Sequence, residues 1–143
     1  MKTNSINLVR SSWAIVATMD PVIVGEIFYY ELFEIMPEVK PMFSRSTMPE
    51  QSRKLLSMLS YIISKLDKLE DIMGEVKKLA QRHVQYGVKA AHYDAVGEAL
   101  IRTLAKGLGD QWNEPLKAAW IEVYTLLSGA MMDADEQNNV MAA

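Results

Sequence analysis

Two side chains in this chain of 143 residues are of the kind that ligates a transition metal or moves protons near neutral pH, His83 and His92, and there is no cysteine. The missing thiols exclude disulfide frameworks, thiolate zinc sites, iron–sulfur clusters and cysteine nucleophiles. Nine positions separate the two histidines. That spacing suits neither a shared metal site at i, i+3 or i, i+4 nor the two-histidine helix of a metalloprotease. No Gly-x-x-x-x-Gly-Lys run is present, Gly107-Leu108-Gly109 lacks the third glycine of a dinucleotide loop, and there is no Gly-x-Ser-x-Gly elbow, so phosphate-loop and serine-hydrolase chemistry fall away. His83 continues a stripe made by Ile72, Val76, Leu79 and Ala80, so it shares their helix face. Such a histidine reads in two ways: a partly buried imidazole satisfied by a backbone carbonyl, or an axial ligand to iron in an apolar pocket.

The elements that must position these residues are helical. Leu55, Met58, Leu59, Ile62, Ile63 and Leu66 repeat at three and four, as do Tyr93, Val96, Leu100 and Leu104, and then Leu116, Ala119, Trp120, Val123 and Leu127. Asp20-Pro21, Thr47-Met48-Pro49-Glu50 and Asn113-Glu114-Pro115 place a capping side chain ahead of a proline that fits a first turn, and Met36-Pro37 opens a further turn. Gly107 and Gly109 end the helix that begins near His92. No Asn-Gly or Asp-Gly hairpin signal is found. The spacing predicts helices near 4–18, 21–36, 50–66, 70–85, 92–107 and 113–132, a proline-led turn over 37–43, and a short polar tail over 133–143. Prolines so placed argue for helices crossing steeply around a pocket rather than for an up-and-down bundle.

Half of the residues are hydrophobic and 23% charged, enough for one domain with its own core. Fifteen basic against eighteen acidic side chains leave a formal charge of −3, without the basic excess that nucleic-acid binding needs. No uncharged stretch exceeds about ten residues, against the roughly 20 of a membrane-spanning helix, and the amino terminus lacks the apolar core of a signal peptide. A cytoplasmic domain, not inserted in membranes, is the expectation.

The runs Phe28-Tyr29-Tyr30-Glu31-Leu32-Phe33, Pro37-Glu38-Val39-Lys40-Pro41-Met42-Phe43, Lys77-Lys78-Leu79-Ala80-Gln81-Arg82-His83 and Ala119-Trp120-x-x-x-Tyr124 together resemble the globin family, and within it the single-domain bacterial haemoglobins and the globin half of flavohaemoglobins. Phe28-Tyr29-Tyr30-Glu31-Leu32-Phe33 and Met36-Pro37-Glu38-Val39-Lys40-Pro41-Met42-Phe43 resemble the second helix and the corner after it. Glu50-Gln51-Ser52-Arg53-Lys54-Leu55 is similar to the start of the distal helix. Lys77-Lys78-Leu79-Ala80-Gln81-Arg82-His83, then Tyr86-Gly87-Val88 and Ala91-His92-Tyr93, resembles the proximal helix and its exit, and Ala119-Trp120-x-x-x-Tyr124 the last helix. The likeness runs in order from about residue 5 to residue 132. It implies one globin domain over 1–143, all-α, six to eight helices around a pocket for haem b.

By that resemblance His83 is the proximal iron ligand, and Phe43 wedges against the porphyrin. Tyr29 and Gln51 are the distal polar pair, with Leu55 closing over the iron. Val88, Val96 and Leu100 line the pocket, Lys54, Arg82 and Arg45 stand where they can pair with propionates, and Tyr93 supports the proximal imidazole. The carboxylate that joins such a tyrosine falls near Asp135, a shorter acid beside Glu136, which counts against a strong proximal push. The methionines, Met58, Met131 and Met132 among them, read as adaptable core. The implied function is reversible binding of dioxygen, NO or CO for oxygen transport or storage, by a monomer or weak dimer. The alternatives are a nitric oxide dioxygenase served by an external reductase, since a chain ending at Ala143 has no room for a fused one, and a globin-fold sensor module.

Overall fold

The computed structural model describes residues 3–43, 46–85 and 89–142, with side chains described except over 83–85 and 133–142. Six α-helices follow one another: α1 (Thr3–Val16), α2 (Pro21–Ile35), α3 (Met48–Ser64), α4 (Met73–Gln85), α5 (Ala90–Leu108) and α6 (Glu114–Ala142). Tighter 3-10 segments cover Pro37–Phe43, Leu66–Ile72 and Gly109–Gln111, and no strand occurs among the described residues.

Caps set most boundaries. The Asp20 carboxylate accepts from the Val22 N–H at 2.9 Å ahead of Pro21, the Thr47 hydroxyl accepts from the Glu50 N–H ahead of Pro49, and the Asn113 side chain accepts from the Leu116 N–H at 2.9 Å. Each fills an orphan donor that a helix start leaves behind. Gly109 stops α5 by taking φ +53°, a region that a side chain disfavours. Two boundaries differ from the periodicity. The start expected near residue 70 becomes a 3-10 segment with a kink at Lys68 (φ −140°, ψ 46°), and α4 begins only at Met73. Helix α6 runs to Ala142 instead of ending near 132, because neither proline nor glycine follows Gly129 to break it.

Helix α2 crosses α3 and α5, while α1 and α4 both pack on α6. The α2–α3 crossing is unusually close: Gly25 lies so near the fully buried Ser52 that an added Cβ would overlap the Ser52 side chain and sit 2.7 Å from its Cα. The core fills the remaining space with Val9, Trp13, Leu32, Leu104, Trp120 and Val123. Trp120 donates its indole N–H to Ser12 and Trp13 donates to Ser60, both at 2.9 Å, so the two indoles bury with their polar atoms satisfied. No single helix among the described residues is long and apolar enough to cross a membrane, and α1 and α2, bent by 114° against each other, turn their buried faces to this core.

A charged clamp holds α2 to α5. Glu31 is 5% exposed and receives Lys106 and Arg102 from α5, with Arg102 also bridging Glu98 at 2.7 Å. The hydrogen bond from Lys106, then that from Arg102, holds the Glu31 carboxyl below the usual glutamate range against the opposing effect of burial. The folded state keeps this carboxyl ionised more readily than the unfolded chain does. Its contribution to stability is therefore complete above about pH 4.5 and is lost as pH falls through the lowered folded value. Acid unfolding followed by circular dichroism should show wild type losing stability over that window, and Glu31→Gln, already less stable at pH 7, should lose less there. Parallel acid limbs would remove the clamp from the account.

Candidate functional site

A crevice of about 950 Å³, open solvent at its mouth included, lies between α2, α3, α4, α5 and α6. Its walls come from five helices and the corner. Phe28 and Leu32 face it from α2, Met42 and Phe43 from the 3-10 corner, and Leu55, Met58, Leu59 and Ile62 from α3. Leu79 supplies the α4 side, Tyr93, Val96 and Leu100 the α5 side, and Tyr124, Leu127 and Met131 the α6 side. The helical repeat explains this arrangement. On α3 the lining positions 55, 58, 59 and 62 are one stripe, and on α5 positions 93, 96 and 100 are another.

Few polar atoms reach this space, and those that do are held. The Tyr124 hydroxyl donates to the Tyr93 carbonyl at 2.6 Å, and its ring lies over Gly97, where a Cβ would come within 2.7 Å of Cε2. Burial pushes this phenol's pKa well up, with the neighbouring Tyr93 and Asp94 adding to the effect, so it stays a neutral donor. The contact ties α6 to the first turn of α5, where Tyr93 and Val96 line the crevice. His92 also lines it, and its Nδ1 accepts from the Lys89 N–H at 2.9 Å, which fixes the neutral ring as the Nε2–H tautomer.

Tyr29 behaves differently. It is 5% exposed, yet its hydroxyl makes no hydrogen bond to any described residue. Burial alone raises its pKa to about 12. The ring belongs to an aromatic cluster: edge-on to Phe43 and to Phe28, both at 5.1 Å between centroids, with Phe33 6.0 Å away. A buried phenol without a partner costs about 1–3 kcal/mol, so the position is one that packing alone does not favour.

Of the residues singled out in the sequence, Phe43, Leu55, Tyr93, Val96 and Leu100 meet at the crevice. Tyr29 and Gln51 are not among its lining residues: Tyr29 packs behind Phe28 and Phe43, and Gln51 is half-buried at the start of α3. Lys54 and Arg82 are exposed on α3 and α4, next to the lining Leu55 and one turn after Leu79. Position 83 lies in α4, one turn or about 6 Å beyond Leu79, but the His83 side chain is outside the described residues, as are Arg45, Val88 and the side chains of Asp135 and Glu136. Met58 and Met131, read as core filler, form part of the wall. Tyr124 and His92 were missed as site residues. The tryptophan–tyrosine spacing pointed to the first as a helix feature only, and the second is a histidine at the third helical position, oriented by the Lys89 N–H three residues earlier, a capping role that the sequence reading did not assign to it.

The globin family model matches residues 26–131. Among curated relatives, the chain is 25% identical over 132 residues to a flavohemoprotein of Vibrio cholerae, covering 91% of this chain and 33% of that one. It is 32% identical over 138 residues to an anaerobic nitrite reductase of Solanum lycopersicum, covering 87% and 88%. A solved bacterial globin from Campylobacter jejuni superposes with a TM-score of 0.84 at 26% identity, covering 96% of this chain and 99% of the other. The chain thus spans about a third of the length of the flavohemoproteins it matches and nearly the whole length of the other relatives. Six helices crossed around an apolar crevice, together with a family match over most of their length, make this chain a member of the globin family.

Proposed function

We propose that the crevice holds haem b and that the protein binds dioxygen, and equally NO or CO, reversibly as an oxygen-binding or storage protein. The observation that carries this reading is the apolar crevice itself, walled by Phe43, Leu55, Val96 and Leu100, with position 83 one helical turn beyond the lining Leu79. When bound, an iron porphyrin supplies the metal position at which a diatomic gas attaches. The chain's own residues do the rest. His83 holds the metal from α4. Phe43, Leu55, Val96 and, beyond the described residues, Val88 exclude water from both faces. Lys54 and Arg82, exposed beside the lining turns, pair with the acidic groups of the porphyrin. Tyr29 and Gln51 donate hydrogen bonds to the bound gas, and Tyr93, held by Tyr124 through its carbonyl, steadies the proximal side.

A second reading, nitric oxide dioxygenation with an external reductase, draws its support from the flavohemoprotein relatives. Steady NO consumption by the loaded protein with a purified reductase would favour it over simple binding.

The test is hemin titration of the purified chain. A stoichiometric Soret band is expected in wild type, with its position and intensity collapsed in His83→Ala. A wild type that takes up no hemin overturns the reading, and an unchanged spectrum in His83→Ala removes His83 from the metal.

A further inference from the structure

The crevice is bordered by cations. Lys54 of α3 stands next to the lining Leu55, and Lys78 and Arg82 of α4 stand beside the lining Leu79 and three residues after it. Lys89 is the N-cap of α5, three residues before the lining His92, and Arg53 and Lys77 adjoin Lys54 and Lys78 in the chain. All six are exposed, and none joins a salt bridge among the described residues. From Val76 to Tyr93 the sequence holds Lys77, Lys78, Arg82 and Lys89 but no aspartate or glutamate. Helix α2 has the opposite sign, with Glu26, Glu31 and Glu34 and no lysine or arginine. A chain of net charge −3 is thus polarised, and charge of one sign gathered at one place steers encounters with the other.

Folding does not account for this arrangement. Lys78 and Arg82 are like charges at i, i+4, a pairing that weakens a helix. Nor does a bound porphyrin use all of it: with Lys54 and Arg82 on its acidic groups, Arg53, Lys77, Lys78 and Lys89 remain. The character of the patch selects its occupant. The exposed large apolar side chains, Ile23, Tyr30, Tyr61, Ile121 and Leu126, belong to α2, α3 and α6, and none to α4 or the start of α5. A membrane surface would need apolar side chains among the cations to sink below the headgroups. A single-stranded nucleic acid would need rings to stack on, and a duplex a basic excess that the chain lacks. Flexible, strongly hydrated lysines on an otherwise polar surface suit a small, wet, short-lived protein encounter, the class to which electron-transfer complexes belong.

We propose that Arg53, Lys77, Lys78 and Lys89 form the docking surface for an acidic electron-carrier protein, one whose flavin edge is ringed by carboxylates. In the encounter one electron leaves the carrier's reduced flavin and enters the ferric porphyrin, and no atom passes between them. The electron rests on the dioxygenase reading; the acid-binding surface does not. Flavodoxin is the probe. Amide NMR of the full chain, with and without hemin, should show shifts on adding oxidised flavodoxin that gather over 77–82 and 89–91. They should appear at about 0.01 M ionic strength, where charges are felt over about 30 Å, and vanish at about 1 M, where that range is about 3 Å. In hemin-loaded protein at low salt, Lys78→Glu should slow reduction by reduced flavodoxin by about fivefold or more. Ala118→Glu/Thr125→Glu, which adds the same negative charge at exposed positions of α6, should leave that rate nearly unchanged. Shifts that are scattered, centred on α2 or indifferent to salt overturn the surface. So does binding of duplex DNA or phosphatidylglycerol vesicles at these residues with flavodoxin left unbound. Equal slowing in the two variants reduces the effect to net charge and overturns the site. Failure of the haem reading appears separately, as no hemin uptake with the flavodoxin shifts intact, and failure of the dioxygenase reading as docking without steady NO consumption.

Discussion

Gly25→Ala will lose several kcal/mol of stability, more than a substitution this small usually costs. The reason is the crossing of α2 and α3. A methyl group at position 25 overlaps the Ser52 side chain and comes within 2.7 Å of the Ser52 Cα, a backbone atom that cannot turn aside. The clash can be relieved only by separating the two helices. Overpacking of this kind costs about 1–3 kcal/mol and more where backbone must move, and separation here also loosens Phe28, Leu55 and Leu59, which stand on these helices and wall the crevice. Denaturant unfolding should show the loss, and Ser52→Gly in the same chain should restore part of it by removing the overlapped atoms. A Gly25→Ala protein within about 0.5 kcal/mol of wild type, the range of surface changes, would mean that the crossing is looser than described.

Tyr29→Phe should move stability and function in opposite directions. Without haem, the hydroxyl is buried and unpartnered, so its removal relieves a penalty of about 1–3 kcal/mol; the ring, packed against Phe28, Phe33 and Phe43, stays in place. The apo variant should be the more stable protein. With haem, that same hydroxyl is the donor proposed for the bound gas, and losing about 1.4 kcal/mol of hydrogen bonding should raise the dioxygen off-rate roughly tenfold. Thermal unfolding of the apo proteins and stopped-flow displacement of dioxygen read the two effects independently. An apo variant less stable than wild type shows that the hydroxyl had a partner after all, and an unchanged off-rate assigns the distal donor elsewhere. A site that is costly when empty and favourable when filled is the pattern expected where function, rather than packing, holds a residue.

What could be read from the chain without coordinates was whatever one helix decides on its own. The stripes at three and four gave six helices close to their observed places, and Asp20, Thr47 and Asn113 cap the helices they were expected to cap. The stripes required only that Leu55, Val96 and Leu100 be buried somewhere; that they would share a pocket was implied by the resemblance, and in the structure all three line the crevice. Helix ends without a breaker were less legible. The run of 3-10 turns over Leu66–Ile72 and the continuation of α6 to Ala142 depend on how neighbouring elements meet, not on a local signal.

The amino-acid sequence by itself determined an all-helical chain of one family, with one histidine on an apolar stripe and aromatic residues collected near a proline-rich corner. Tertiary structure alone decided that Tyr29 is buried beside that corner without a partner among the described residues, that Tyr124 ties α6 to the Tyr93 carbonyl, and that Glu31 is clamped by two cations from α5. The division is physical. Periodicity and capping act over about four residues and are written along the chain, whereas an unpaired hydroxyl or a helix crossing at a glycine exists only once segments dozens of positions apart are brought to within a few ångströms.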